Sequence, residues 1–204
     1  MAHLDENTLQ RMFDAGCDAL ERGANDQAIE LLQPVAQWGA SVAMFNLAIA
    51  LKRRGDLNRA IEWYTKAARA GDVDAMAYLG WMHRWLGATD EAANWYREAQ
   101  RHGHQQAGPA LAALAFDTTS TAAQTVRATA SMAARAHAQR GSMELATQSW
   151  MTAAESGDAE SMYQLGLAAE QRRDLGEAIL WHRAASRAGF AQADARLNFI
   201  EQQR

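Results

Sequence analysis

The sequence predicts an all-α protein built from stacked, antiparallel helical hairpins. Good helix formers dominate its 204 residues, prolines number only two, and the β-branched residues that strands favour are scarce. Glycines recur 32 residues apart, at Gly39, Gly71 and Gly103 and again at Gly157 and Gly189. Between them, apolar residues are spaced by three and four, which is the spacing of an amphipathic helix. These features together predict a repeated unit of two helices.

The segment from Ala40 to Gly71 shows one complete unit. Its first half, Val42 to Arg54, and its second half, Leu57 to Ala70, both carry the amphipathic pattern. Gly55-Asp56 separates the halves: the glycine suits the left-handed residue that ends a helix, and the aspartate suits the cap that begins the next. The unit is therefore predicted to be two antiparallel helices joined by a very short turn.

Other positions follow the same period. A second series of glycines lies 16 residues ahead of the first, at Gly23, Gly55, Gly87 and Gly141, and Arg173 takes that place before Gly189. Small residues recur on the first helix, where they indicate a close helix crossing: Ala48, Gly80 and Gly166. Tryptophans recur at one position of the second helix, where we expect a structural role: Trp63, Trp95 and Trp181.

These residues carry a family resemblance. Met76-Ala77-Tyr78-Leu79-Gly80 and Met162-Tyr163-Gln164-Leu165-Gly166, each followed by a small residue and a tryptophan on the next helix, resemble the Sel1-like repeat, a relative of the tetratricopeptide repeat. The resemblance is strong over 40–103 and 158–189 and weak over 9–39 and 142–157. It implies a right-handed α-solenoid, and it implies adaptor and scaffold proteins that usually lack catalysis.

We expect one helical-repeat domain over residues 1–204, with an irregular unit near the middle. A short helix is predicted from Ala110 to Phe116, followed by a turn at Asp117–Ser120. The Ala-rich stretch from Ala122 to Arg140 is either one helix or two helices interrupted near Thr129. The predicted order is hairpins at about 7–39, 40–71 and 72–103, the irregular segment 104–141 leading into 142–157, a hairpin at 158–189, and a capping helix at 190–204.

The resemblance also predicts a binding groove, because first helices line the concave face in arrays of this type. The predicted partner-binding residues make it aromatic with a basic rim: Phe45, Ile49, Lys52, Arg53, Trp81, Arg84, Trp85 and Tyr163. The same register adds Phe13, Cys17, Glu21, Leu167, Glu170 and Gln171. Trp81 and Trp85 lie four residues apart. They either form a pocket for an apolar or acidic-apolar peptide or fill the junction with the irregular unit.

Several functional classes are disfavoured. The net charge of −4 gives no electrostatic attraction for nucleic acid, and the short basic runs lie near helix C-termini. His102 and His104 have no third ligand nearby in sequence, so no metal site is predicted. No catalytic motif is present, no cofactor is expected, and Cys17 is expected to be a packing residue. The single cysteine, the start without a secretory signal and the lack of a long apolar segment predict a cytoplasmic protein outside membranes.

The leading hypothesis is a protein-interaction adaptor that holds a peptide or helix of a partner in the groove. The alternative is a regulatory subunit that inhibits or activates one enzyme by docking as a folded surface. An enzyme is a third and weaker hypothesis, because the predicted groove is mostly aromatic and cationic. The sequence leaves the partner, the pathway and the oligomeric state open, and a homo-oligomer is possible.

Overall fold

A computed structural model describes residues 5–115 and 120–202 of the chain. The described residues form an all-α fold of twelve helices: α1 (Glu6–Glu21), α2 (Asn25–Trp38), α3 (Ser41–Arg53), α4 (Leu57–Arg69), α5 (Val73–Leu86), α6 (Thr89–Arg101), α7 (Ala107–Leu114), α8 (Thr121–Gln139), α9 (Met143–Glu155), α10 (Ala159–Gln171), α11 (Leu175–Arg187) and α12 (Gln192–Gln202). Consecutive helices pair as hairpins, which confirms the predicted all-α, solenoid-type repeat fold.

The turns between helices are built as the sequence predicts. Every glycine of the two predicted series has a positive φ. Arg173 adopts the same left-handed conformation with φ 58°, although its side chain makes that conformation unfavourable. The aspartates that follow the turns cap the next helix, since each accepts a hydrogen bond from a backbone N–H in the first turn: Asp56, Asp72, Asp158 and Asp174.

The described residues divide into two compact units. The first unit contains residues 5–81 and 90–108, and the second contains 82–89, 109–115 and 120–202. In the first unit α1, α2, α3 and α4 pack in chain order, each on the next. In the second unit the same succession runs from α8 through α12. That all of 1–204 behaves as one right-handed domain stays a prediction.

Close helix crossings lie where the recurring small residues predicted them. In the first unit, a Cβ added to Gly80 on α5 would lie 2.6 Å from the ring of Tyr96 on α6. In the second unit, a Cβ added to Gly166 on α10 would lie 2.4 Å from the imidazole of His182 on α11. The facing residue is 16 positions later in both cases, so a ring of the second helix occupies the space that the glycine leaves.

Part of the segment predicted to be irregular forms a regular helix. α8 is a single helix over Thr121–Gln139, and it pairs with α9 as a regular hairpin. α7 begins three residues before the predicted start, and Pro109 is in its first turn. Phe116 and Asp117–Thr119, where the end of that helix and most of the turn were predicted, lie outside the described residues.

Candidate functional site

The predicted site residues of α3 have different exposures. Phe45 and Ile49 are half-buried, so part of each side chain reaches the surface of the first unit. Lys52 is only 2% exposed: its Nζ donates to the Tyr78 hydroxyl at 3.2 Å and lies 5.3 Å from the centre of that ring. Half-buried Arg53 donates to the backbone carbonyl of Leu20 at 2.8 Å. Both cations therefore contact the protein itself, and Lys52 has almost no exposed surface.

Phe45 belongs to an aromatic cluster that also contains Tyr64, Tyr78 and Trp81. Tyr78 is central: its ring stacks on Tyr64 with centroids 5.1 Å apart and lies 5.7 Å from Trp81. Phe45 meets Tyr64 edge-on at 5.5 Å and Tyr78 edge-on at 6.1 Å. Tyr64 is buried, whereas Phe45, Tyr78 and Trp81 are half-buried. We call these four residues the first-unit aromatic cluster. It joins two first helices, α3 and α5, through ring contacts of favourable geometry.

Trp81 and Trp85 have separate environments despite their spacing of four. Trp85 belongs to the second unit, is 6% exposed and packs against buried Trp181 with ring centroids 4.2 Å apart. The guanidinium of Arg187 donates to the Trp85 carbonyl, and Arg84 lies 5.0 Å from the Trp85 ring. Arg84 also lies 3.8 Å from Glu155. Trp85 is therefore a buried packing residue whose aromatic neighbour lies on α11, while Trp81 is half-buried.

Tyr163 lies at a polar and aromatic junction in the second unit. Its ring is 5.2 Å from His182 and 5.0 Å from Phe190. The carboxylate of Glu170 accepts from His182 at 2.8 Å and from Arg196 on α12 at 2.8 Å. Half-buried Tyr163 therefore lies beside a network in which Glu170 binds both His182 and Arg196.

The same network shifts two pKa values. Burial lowers the pKa of His182 below its ordinary value, although the nearby Glu170 opposes the shift. His182 is therefore neutral at neutral pH and donates through Nε2 to the carboxylate. Burial would raise the pKa of Glu170, but hydrogen bonds from Arg196 and His182 outweigh it, and the net pKa is lowered. Glu170 is consequently an ionised acceptor shared by two donors.

A cleft of about 220 Å³ in the second unit was missed by the sequence analysis. It lies between α8, α9 and α10, and Ser131, Arg135 and Gln139 of α8 line it. These positions are 32 residues before Tyr163, Leu167 and Gln171, so they belong to the register of the predicted groove. The 32-residue period, applied to Tyr163, Leu167 and Gln171, identifies them. The sequence alone left Ala122 to Arg140 open as one helix or two, so these positions were not assigned to a face.

The remaining candidates for chemistry are explained by local contacts. Cys17 accepts a hydrogen bond from Asn46 at 3.3 Å, and burial raises the pKa of its thiol, which disfavours the nucleophilic thiolate. His102 lies 3.3 Å from Glu98, and His104 lies 3.6 Å from Asp74. Within the described ranges, no three His, Cys, Asp or Glu side chains are placed to share a metal ion. No helix in those ranges is long and apolar enough to cross a membrane.

Comparisons with known proteins support the fold. No family model and no curated protein matches the chain. Among solved structures, the TPR2AB-domain:pHSP90 complex of yeast Sti1 is similar over 98% of this chain and 85% of the other, with 15% identity and a TM-score of 0.50. MamA protein is similar over 93% and 96%, with 17% identity and a TM-score of 0.44.

A third solved structure is a protective antigen of uropathogenic Escherichia coli strains that displays an SLR fold. The similarity covers 85% of this chain but only 36% of that protein, with 22% identity and a TM-score of 0.32. At these identities the likeness concerns the fold alone, and of these three structures the Sti1 complex has a TM-score of 0.50. This chain has the tetratricopeptide-like helical-repeat fold that the Sel1-like pattern of its sequence predicted.

Proposed function

We propose that this protein is a non-enzymatic adaptor that binds a segment of a partner protein on the first-helix face of its first unit. Repeat proteins of the tetratricopeptide type generally mediate protein–protein interactions, and the similar structure of yeast Sti1 is a complex with pHSP90. The observation that carries the proposal is the first-unit aromatic cluster. Three of its rings are half-buried on two adjacent first helices, where their exposed surface would be desolvated by a partner.

The predicted site residues have unequal parts in this proposal. Phe45, Ile49 and Trp81 provide direct contacts, because each has apolar surface left exposed on α3 or α5. Lys52 holds the Tyr78 ring in place through its contacts with the hydroxyl and the ring. Arg53 borders the same face. The partner is therefore expected to bring apolar side chains to the cluster.

The other predicted residues lie in the second unit. Tyr163 is half-buried and offers a further aromatic contact, whereas Trp85 supports the packing around Trp181. Arg84 is largely covered, with 13% of its side chain exposed, and lies near both Trp85 and Glu155. We expect substitutions at Arg84 and Trp85 to act on stability before they act on binding.

The test is affinity capture from an extract of the source cells, followed by cross-linking and mapping of the captured partner. Phe45→Ala with Trp81→Ala is expected to lose the partner and to keep the helical circular dichroism of the native chain. Trp38→Ala is the matched control, because Trp38 is 62% exposed but lies on a second helix, α2. This variant should still capture the partner.

The footprint of the captured partner separates the two leading hypotheses. A short linear segment cross-linked near the first-unit aromatic cluster supports the adaptor. Capture that needs the whole folded partner supports a regulatory subunit. Undiminished capture by the Phe45 and Trp81 double variant contradicts the proposed site.

A further inference from the structure

The cleft between α8 and α10 has an acidic and an aromatic side. Asp158, which caps α10, accepts from the Ser131 hydroxyl at 2.8 Å and from the Ser161 N–H at 2.9 Å through the same oxygen, Oδ2. Glu160, the second residue of α10, is joined by Arg135 of α8. Buried Trp150 of α9 also lines the cleft. Two carboxylates, one guanidinium and an indole thus surround one small space.

The charges favour a cationic occupant. The lining carries two negative side chains against one positive side chain, so it has a net negative charge. The N-terminal end of α10 would by itself favour an anion. The carboxylate of Asp158 already supplies this anion, because it accepts a hydrogen bond from the Ser161 N–H. Asp158 Oδ1 makes no hydrogen bond within the described residues, so this carboxylate keeps acceptor capacity.

The size of the cleft limits what it can hold. Its volume of about 220 Å³ is below the roughly 300–1,000 Å³ of sites that bury whole small molecules. A lysine or arginine side chain suits this cleft, because its alkyl stem can pack on apolar surface while its charged head reaches a carboxylate. Trp150 and Ala138 provide apolar surface, and Glu160 and Asp158 provide the acceptors.

We propose that this cleft binds a single basic side chain of the partner protein. The inference rests on the proposed function, since it assigns the chemistry of one side chain of the same partner. In the free protein Arg135 supplies the cation that the partner would bring, because its guanidinium already pairs with Glu160. The pair is accessible, with 59% and 43% of the two side chains exposed, so an incoming cation can compete for the carboxylate.

The test uses two synthetic peptides and the full-length protein. One peptide is Ac-Gly-Gly-Lys-Gly-Gly-NH2, and the other has norleucine in place of lysine, which keeps the stem and removes the charge. Binding is followed by NMR through the Trp150 indole N–H and the backbone N–H groups of Ser131 and Ser161. The variants are Arg135→Gln and Glu160→Gln. Glu62→Gln is the control, since it removes the same charge from an exposed position on α4.

We expect the lysine peptide to shift these resonances and to bind more tightly than the norleucine peptide. Glu160→Gln should weaken its binding up to about fivefold, the value of one accessible ion pair, and Arg135→Gln should strengthen it by a similar factor. Glu62→Gln should change nothing, and added salt should weaken binding. The opposite signs at Arg135 and Glu160 distinguish a shared carboxylate from a general loss of structure.

The proposal is overturned if the two peptides bind equally, if the cleft resonances do not shift, or if both variants change binding in the same direction or not at all. Each of these results leaves the proposed function separately testable. If partner capture still depends on Phe45 and Trp81, the proposed adaptor function stands. Only the proposal that the partner inserts a basic side chain into the cleft is then wrong.

Discussion

The two units use the same packing position but carry different first-helix faces. In both, a small residue on a first helix is followed 16 positions later by a larger residue on the second helix. The pairs are Gly16 and Leu32, Ala48 and Tyr64, and Gly80 and Tyr96 in the first unit, and Ala134 and Trp150, and Gly166 and His182 in the second. Direct close approach is seen at Gly16, Gly80 and Gly166. In every pair the first-helix residue is glycine or alanine, whereas the second-helix residue varies from leucine to tryptophan.

The exposed positions of the first helices show no such constancy. Phe45 and Ile49 on α3 are apolar, whereas Ser131 and Arg135, at the same repeat positions of α8, are polar. The first unit therefore presents aromatic surface, and the second unit presents the cleft that contains two carboxylates. The comparison shows that packing residues follow the 32-residue period, while face residues vary within it. Recognition is expected to depend on the residues that vary.

The largest expected effect is a loss of stability at a packing position that recurs in both units. Trp181→Ala should lower the free energy of unfolding by about 3–5 kcal/mol, because the indole is fully buried against Trp85. Trp63→Ala should lower it less, since the Trp63 ring is at the edge of the core and is covered by Lys66 Nζ at 3.9 Å. Denaturant unfolding combined with hydrogen exchange locates each loss. Equal losses at the two positions would contradict the difference in burial.

The next effect tests the close crossing in the second unit. Gly166→Ala should lower stability by about 1–3 kcal/mol by overpacking, because the new Cβ would lie 2.4 Å from an imidazole that is buried and bound to Glu170. This cost should exceed the roughly 1 kcal/mol that alanine gains over glycine in a helix. Ala48 and Tyr64 occupy the same repeat positions in the first unit, so Ala48→Gly is the matched control. A more stable Gly166→Ala protein would show that the crossing can relax.

A smaller effect is expected on acidification of the second unit. The pKa of His182 is lowered in the folded protein, so the unfolded chain takes up a proton first as the pH falls through the ordinary value of 6.5. The free energy of unfolding should therefore fall below that pH. The lowered pKa of Glu170 extends the loss as the pH falls through its ordinary value of 4.5. Unfolding curves recorded at a series of pH values measure the slope.

His182→Gln provides the control for this pH dependence. It removes the titrating imidazole and keeps a side chain that can donate to Glu170, so the loss between about pH 6.5 and the onset of carboxyl titration should disappear. The loss at lower pH, due to Glu170, should remain. An unchanged slope in His182→Gln would assign the acid sensitivity to other groups.

Much of the fold could be predicted from the sequence because turn chemistry repeats visibly. Glycines that need a positive φ fixed the hairpin ends, and the period even identified Arg173 as the residue in a glycine's place. The α8–α9 hairpin was less visible, since Ala122 to Arg140 has no glycine and its apolar pattern is diluted by alanine.

The candidate site was predictable only in part, because the register gives a residue's face but not its partners. Phe45 and Trp81 were expected on a first-helix face, and both are half-buried there. Lys52 was expected at the basic rim of the groove, but it is buried and bound to Tyr78, 26 residues away. Trp85 shares the helix of Trp81, but Trp181, distant in sequence, packs against it. Such long-range contacts depend on the tertiary structure and leave no local signal in the sequence.

The most direct test of the distinction between packing and face residues is a paired measurement on Trp81→Ala and Trp85→Ala. We expect Trp81→Ala to change the free energy of unfolding by less than about 1 kcal/mol and to lose partner capture. We expect Trp85→Ala to lower stability by about 3 kcal/mol or more, because it leaves a cavity beside Trp181. A Trp81→Ala protein that unfolds readily, or that still captures the partner while a stable Trp85→Ala protein does not, would contradict this assignment.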